Sequence, residues 1–169
     1  LYTIFNGIIQ VYECAFLTSI NAPSATEVNA SGCTSLTSIS APNATNLDCG
    51  GCTSLTSISA PNATSLYCSS CTSLTSLSAP NATNLECDEC TSLTSISAPN
   101  ATYLNCYDCA LTATSIASLL AELVATVNAN GTLDVSVGTN ADYATWSLQA
   151  KADAATLQTR GWTVTYNEA

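Results

Sequence analysis

Histidine and methionine are absent from this 169-residue sequence, and Lys and Arg together number 2 against 12 Asp and Glu. Without histidine there is no Ser-His-Asp or Cys-His catalysis and no imidazole ligand for a metal. A net charge of −10 removes the basic surface that nucleic acids and anionic membranes require. Without methionine, Leu1 is not read as an initiator residue. No apolar run reaches the roughly 18 residues of a membrane-spanning helix, so membrane insertion is not expected. Leu1–Val11 is apolar but lacks the basic flank of a signal peptide. Charged residues make up 8% of the chain, against about 25% in an ordinary soluble protein. Serine and threonine supply the polar surface instead, and the length suits one domain.

What is present is a repeat. CTSLTSISAPNATNLDCGG starts at Cys33, and near-copies start at Cys52, Cys71 and Cys90. A degraded copy, CAFLTSINAPSATEVNASG, precedes them from Cys14. The 19-residue period is too short for a helix-pair repeat, which needs about 33 residues or more. It fits one turn of a flattened β-solenoid or a short leucine-rich repeat.

Alternation selects the inward residues of each coil. Leu47 and Cys49 face the interior while Asn46 and Asp48 face out, and Leu55 and Ile58 enclose the same interior from the opposite wall. Ser57 and Ser59 face out there. In the Ala-Pro-Asn-Ala-Thr turn, Pro42 fixes φ and Asn43 is expected to bond its own backbone. Stacking at about 4.8 Å turns each fixed letter into a ladder. The expected fold is a repeat solenoid, a right-handed β-solenoid of leucine-rich-repeat type with 19-residue coils over 14–109.

Caps are expected at both ends, since an open strand edge is adhesive. Residues 1–13 read as an N-terminal cap with a hairpin at Asn6-Gly7. Residues 110–169 read as an α+β cap of helix, strand, helix and strand. The first helix carries Ile116, Leu119, Leu120, Leu123, Val124 and Val127 and stops at Gly131. A strand follows with Leu133, Val135 and Val137 in alternation. Asp153 is expected to cap a second helix ending at Gly161, and Trp162, Val164 and Tyr166 share one face of a last strand.

The motif CTSLTSISAPN, with Leu47, Cys49, Cys52 and Leu55 at the spacing L-x-C-x-x-C-x-x-L, resembles bacterial surface leucine-rich repeats of the BspA-like, or Treponema-type, group. The end RGWTVTYNEA is similar to the ends of repeat proteins from bacteriophages and bacterial surfaces. The resemblance covers about Cys14 to Cys109 and implies an extracellular, cell-surface or virion-surface adhesion module without enzymatic activity or cofactor.

Four slots vary, while outside them the four complete copies are nearly identical. The first reads Asn46, Ser65, Asn84, Tyr103 and the second Asp48, Tyr67, Glu86, Asn105. The third reads Gly50, Ser69, Asp88, Tyr107 and the fourth Gly51, Ser70, Glu89, Asp108. Glu27, Asn29, Ser31 and Gly32 hold these places in the degraded copy. Every carboxylate of the repeats falls in a slot, and the vocabulary is that of binding loops. The slots therefore read as the ligand-binding face, with Tyr67, Tyr103 and Tyr107 as anchors. The expected partner is a surface protein, a glycan or another copy of the chain. Drift at exposed positions is the plainer alternative, but it leaves the constancy of Ser57 and Ser59 unexplained.

The cysteines leave three alternatives open. Cys49/Cys52, Cys68/Cys71, Cys87/Cys90 and Cys106/Cys109 are CxxC pairs at zinc-like spacing, although the repeat itself forces that spacing. Disulfides within a coil and a ladder of buried free thiols are the other two. Asn29, Asn43, Asn62, Asn81, Asn100 and Asn130 each head a glycosylation sequon, though the repeated ones also suit a turn. The outward hydroxyl rows admit ice binding, and open edges admit assembly into a fibre.

Overall fold

The computed structural model describes residues 3–5 and 7–168. Strands β1 (Thr3–Phe5) and β2 (Ile8–Gln10) form an antiparallel pair on either side of the expected Asn6-Gly7 turn, in which Asn6 lies outside the described residues. Each coil then supplies two three-residue strands: β3 (Ser19–Asn21) and β4 (Glu27–Asn29), β5 (Ser38–Ser40) and β6 (Asn46–Asp48), β7 (Ser57–Ser59) and β8 (Ser65–Tyr67), β9 (Ser76–Ser78) and β10 (Asn84–Glu86), and β11 (Ser95–Ser97) and β12 (Tyr103–Asn105). The tail adds α1 (Ala113–Ala125), β13 (Thr132–Val135), α2 (Leu148–Thr159) and β14 (Thr163–Tyr166). The chain is a parallel β-solenoid of five coils with a helix-containing C-terminal part, as the period predicts.

The even-numbered strands, with β1 and β13, make one wall, a nine-stranded sheet in the order β1-β2-β4-β6-β8-β10-β12-β13-β14. Partners lie a full period apart: Leu47 pairs with Leu66, and Leu85 with Leu104. The opposite wall is split into β3-β5-β7 and β9-β11. Between the walls, Leu47, Leu66, Leu85 and Leu104 face Leu36, Leu55, Leu74 and Leu93, all buried. Alanines of the A-P-N-A-T turn close the narrow end of the core.

Side chains bind one coil to the next as well. Asn43, Asn62, Asn81 and Asn100 each donate through Nδ2 to the proline carbonyl of the preceding coil, at 2.7 to 2.9 Å. The expectation that Asn43 bonds its own backbone is thus corrected: stacking offers a carbonyl that an isolated turn does not. The hydroxyls of Thr45, Thr64, Thr83 and Thr102 likewise donate to the threonine carbonyl one coil earlier.

The C-terminal part keeps the expected order and departs in detail. Helix α1 ends at Ala125, where Thr126 Oγ1 donates to the Leu123 carbonyl, so Val127 falls outside it and is exposed. Gly131 is no helix stop. It lies against the Trp162 ring, where a Cβ would come within 2.5 Å. Ser147, not Asp153, caps α2 by accepting the Ala150 N–H. Asp153 sits buried in mid-helix and accepts from Gln149 Nε2. Val137 leaves the strand alternation altogether, exposed and at φ 61°.

The interior leucines carry the stack. Each is walled by its own coil and by two neighbours, so truncation leaves a cavity that a rigid ladder cannot close. Leu85→Ala is expected to lower the unfolding free energy by about 3 kcal/mol, read from urea denaturation.

Candidate recognition face

Hydrogen-bond register decides whether the variable slots meet. Glu27, Asn46, Ser65, Asn84 and Tyr103 are successive partners along the nine-stranded sheet, and so are Asn29, Asp48, Tyr67, Glu86 and Asn105. Past the strand ends the ladder continues. The N–H groups of Gly32, Gly51, Ser70 and Glu89 donate to the carbonyls of Gly50, Ser69, Asp88 and Tyr107, each at 2.8 Å. All eighteen candidate positions, from Glu27 to Asp108, therefore lie in four adjacent columns with Ser31 and Gly32, on one wall.

The columns extend further than the repeat. Ile8 pairs with Glu27 and Gln10 with Asn29, and the Glu13 N–H donates to the Ser31 carbonyl, so Tyr12 and Glu13 complete a rung below the first coil. Thr132 and Asp134 pair with Tyr103 and Asn105, and Thr163 and Thr165 with those in turn. Subtracting 19 from Glu27, Asn29, Ser31 and Gly32 leads to the lower rung, where Ile9 and Val11 stand for Val28 and Ala30. That arithmetic was the available signal.

Two columns have structural duties beside any recognition. In the second, Asn29, Asp48, Asn105 and Asp134 accept through Oδ1 the N–H two residues on, closing the strand exit at 2.9 to 3.2 Å. Tyr67 makes a different contact, its hydroxyl accepting from Asn84 Nδ2 at 2.9 Å. In the fourth column every residue is left-handed, with φ between 51° and 74° at Glu13, Gly32, Gly51, Ser70, Glu89 and Asp108. Glycine adopts that conformation freely, whereas other residues lose about 1–2 kcal/mol. The two coils with Gly32 and Gly51 are the relaxed ones. In the first column the Asn46 Oδ1 atom is buried without a hydrogen-bond partner.

Charge accumulates on the same wall. Glu13, Glu27, Asp48, Glu86, Asp88, Glu89, Asp108 and Asp134 belong to the columns, and neither Lys151 nor Arg160 does. Ser69 Oγ donates to Asp88 and Ser70 Oγ to Glu89, at 2.5 and 2.9 Å. Glu89 and Asp108 hold the fourth column one coil apart, the Glu89 carboxylate turned back to Ser70 and Asp108 lying against Gly138. Tyr12, Tyr103 and Tyr107 are exposed. Among the described residues, sheltered spaces lie away from the columns. A cleft of about 310 Å³ at the first coil is lined by Gly7, Ile9 and Ala22, and one of about 210 Å³ by Ile58 and Pro61.

All ten cysteines are free thiols, so the coils contain no disulfides. Nine of them, all but the half-buried Cys14, stand in two interior columns. Cys33, Cys52, Cys71, Cys90 and Cys109 each donate through Sγ to the carbonyl 22 residues earlier, at 2.8 to 3.2 Å. Cys49, Cys68, Cys87 and Cys106 form the other column, with Cys87 Sγ 3.4 Å from Cys106 Sγ. Among the described residues no three of His, Cys, Asp and Glu gather as metal ligands; stacking spreads the eight CxxC thiols along the axis. Ala30 in place of the first cysteine fits this reading of a small interior filler. The six sequon asparagines also have ordinary neighbours: four bond the proline carbonyls described above, Asn29 Nδ2 donates to Asp48 Oδ2, and Asn130 is exposed at φ 58°.

Burial pushes the Cys52 thiol up to about 12 and also raises Cys33. Cys49 and Cys68 rise well above the ordinary value because each shares a hydrogen bond with a neighbouring thiol, Cys71 and Cys90, and burial adds to it.

Compared with known protein families, curated proteins and solved structures, the chain matches none.

The left-handed column sets the sign of one pair of substitutions. Glu89→Gly is expected to stabilise the fold by up to about 1 kcal/mol through relief of left-handed strain, and Gly51→Glu to destabilise it by about as much; thermal melting of both reads the sign. The buried thiols set a dependence on pH. A thiol whose pKa is higher in the folded chain keeps a proton that the unfolded chain releases, so its stabilisation is complete below the ordinary thiol value of 9.0. It is lost as pH rises toward the folded value near 12. Melting temperature is expected to fall between pH 9 and 12, and to fall less in Cys52→Ala.

Proposed function

We propose that the protein is a non-enzymatic binding module that works outside the cell or on a cell or virion surface, and that its wall of four variable columns is the recognition face. The observation that carries this is the coincidence of variation with register. In the four full copies the letters that differ fall in adjacent columns, apart from Leu77 in place of Ile, while the leucines, alanines, cysteines and stacking asparagines behind them do not change. A scaffold separated from its contact surface has that pattern. Drift at exposed positions would also have altered the outward serines at 57 and 59 and their counterparts, which are constant in the four full copies. The left-handed Ser70, Glu89 and Asp108 add to the argument, since glycine at those positions relaxes the coil and two coils have it.

The adhesion role implied by the BspA-like motif agrees with this reading. Tyr103 and Tyr107 are the foremost anchors because their rings are exposed, 41% and 39%. Tyr67 is partly held by Asn84. Ice binding fits less well: the wall of paired serines is divided between β7 and β9 and offers no continuous flat array.

The test is a screen of glycans and cell surfaces with the whole chain, repeated with Tyr67→Ala/Tyr103→Ala/Tyr107→Ala. Binding reduced at least about tenfold in the triple variant, at unchanged melting temperature, is the expected result. Equal binding by parent and variant refutes the face.

A further inference from the structure

We infer that the recognition wall takes a cationic partner, an extended lysine- or arginine-rich segment of another polypeptide laid along the solenoid axis. This rests on the reading of the wall as a binding face and names the chemistry that the face fits.

Charge complementarity is the first ground. Eight of the chain's 12 carboxylates lie in the columns identified above, and its two cations are engaged elsewhere. Lys151 Nζ sits 4.9 Å over the Tyr143 ring, and Arg160 Nη1 donates to the carbonyls of Val124 and Thr126. The densest part spans two rungs, where Glu86, Asp88 and Glu89 lie beside Asp108. Serine hydroxyls answer Asp88 and Glu89, but no cation of the chain lies in the columns. The wall thus carries a negative charge that the chain's own side chains leave uncompensated and that a cationic ligand neutralises.

The second ground is the aromatic surface beside the carboxylates. Tyr103 and Tyr107 stand exposed on the rung next to that cluster, and ring faces at such a place attract ammonium and guanidinium groups. Dimensions supply a third. Eight rungs from Ile8 to Thr163, paired in register, run roughly 34 Å at the usual strand spacing, which matches about ten residues of extended chain. A second copy of this protein does not supply that charge, because its two cations are both engaged in the C-terminal part.

The test is an anisotropy titration of the full chain with a labelled decalysine peptide at about 0.15 M salt. Saturable one-to-one binding is expected, weakened about tenfold or more by Glu86→Gln/Asp88→Asn/Glu89→Gln/Asp108→Asn and severalfold by Tyr103→Ala/Tyr107→Ala. A control variant changes net charge equally but away from the wall: Asp142→Asn with Ala152→Lys, Ala155→Lys and Gln158→Lys, all exposed positions. It is expected to bind like the parent. If the control loses as much affinity as the wall variant, bulk charge alone is responsible and the inference falls. It also falls if the parent ignores decalysine, or if calcium ion alone saturates the wall while decalysine does not bind. In those cases a partner found by the screen and lost in the tyrosine triple variant still supports the recognition face, so the two readings fail separately.

Discussion

Everything in this molecule depends on the parallel hydrogen-bond ladder that sets each residue directly above the one a period before it. Backbone N–H and C=O groups must be satisfied, and here most find partners in neighbouring coils rather than within their own. Register then becomes strict. A slip of one residue would turn Asn46 and Asp48 inward and Leu47 outward in every coil at once. Once register is fixed, composition along the axis follows. Each interior position is a column of near-identical neighbours, so it must be filled by a residue that packs well against itself. Leucine serves on the broad faces, and alanine and cysteine serve where the coil narrows. The thiol adds what a methyl group does not: a donor for a carbonyl that faces the core, as in Cys52 to Ala30.

The same ladder divides the outer surface into positions with duties and positions without. Asn43 and its counterparts bind the turns together, and Asn29, Asp48, Asn105 and Asp134 close the strand exits. Variation in the second column is therefore only partly free, since an Asn or Asp there has a local hydrogen bond to make. The fourth column differs in kind. Its backbone favours glycine, so a side chain at Ser70, Glu89 or Asp108 works against local stability and needs a reason outside the coil. On the proposed reading, that strain is retained for the contact surface.

The coils were legible from sequence because repetition supplies its own alignment. Identical letters at a fixed interval define the register, and alternation then sorts Leu47 from Asp48. The C-terminal part has no such internal copy, and tertiary contacts overruled local signals there. Gly131 looks like a helix stop but answers to the Trp162 ring, and Val137 continues an alternation that the chain abandons at a left-handed turn. Asp153 looks like a cap, yet Ser147 lies nearer the start that packing chose. The lower rung of the face was missed for the opposite reason. Residues 8–13 keep only the core letters of the repeat, Ile9 and Val11, and a search for CTSL passes over them.

One wall rather than the other became the candidate face for a reason of topology. The serine wall is interrupted between β7 and β9, and at its far end α1 lies over β11, where Glu122 Oε2 accepts from Ser97 Oγ and the Ala98 N–H. Among the described residues the first wall has no such closure. The terminal strands β13 and β14 join it in parallel and carry outward Thr132, Asp134, Thr163 and Thr165 onward in the same columns. A cap that covered both walls would have ended the face at Tyr103. By extending one sheet and sealing the edge of the other, the C-terminal part ends the repeat without ending the surface, and the negative columns run past the last coil.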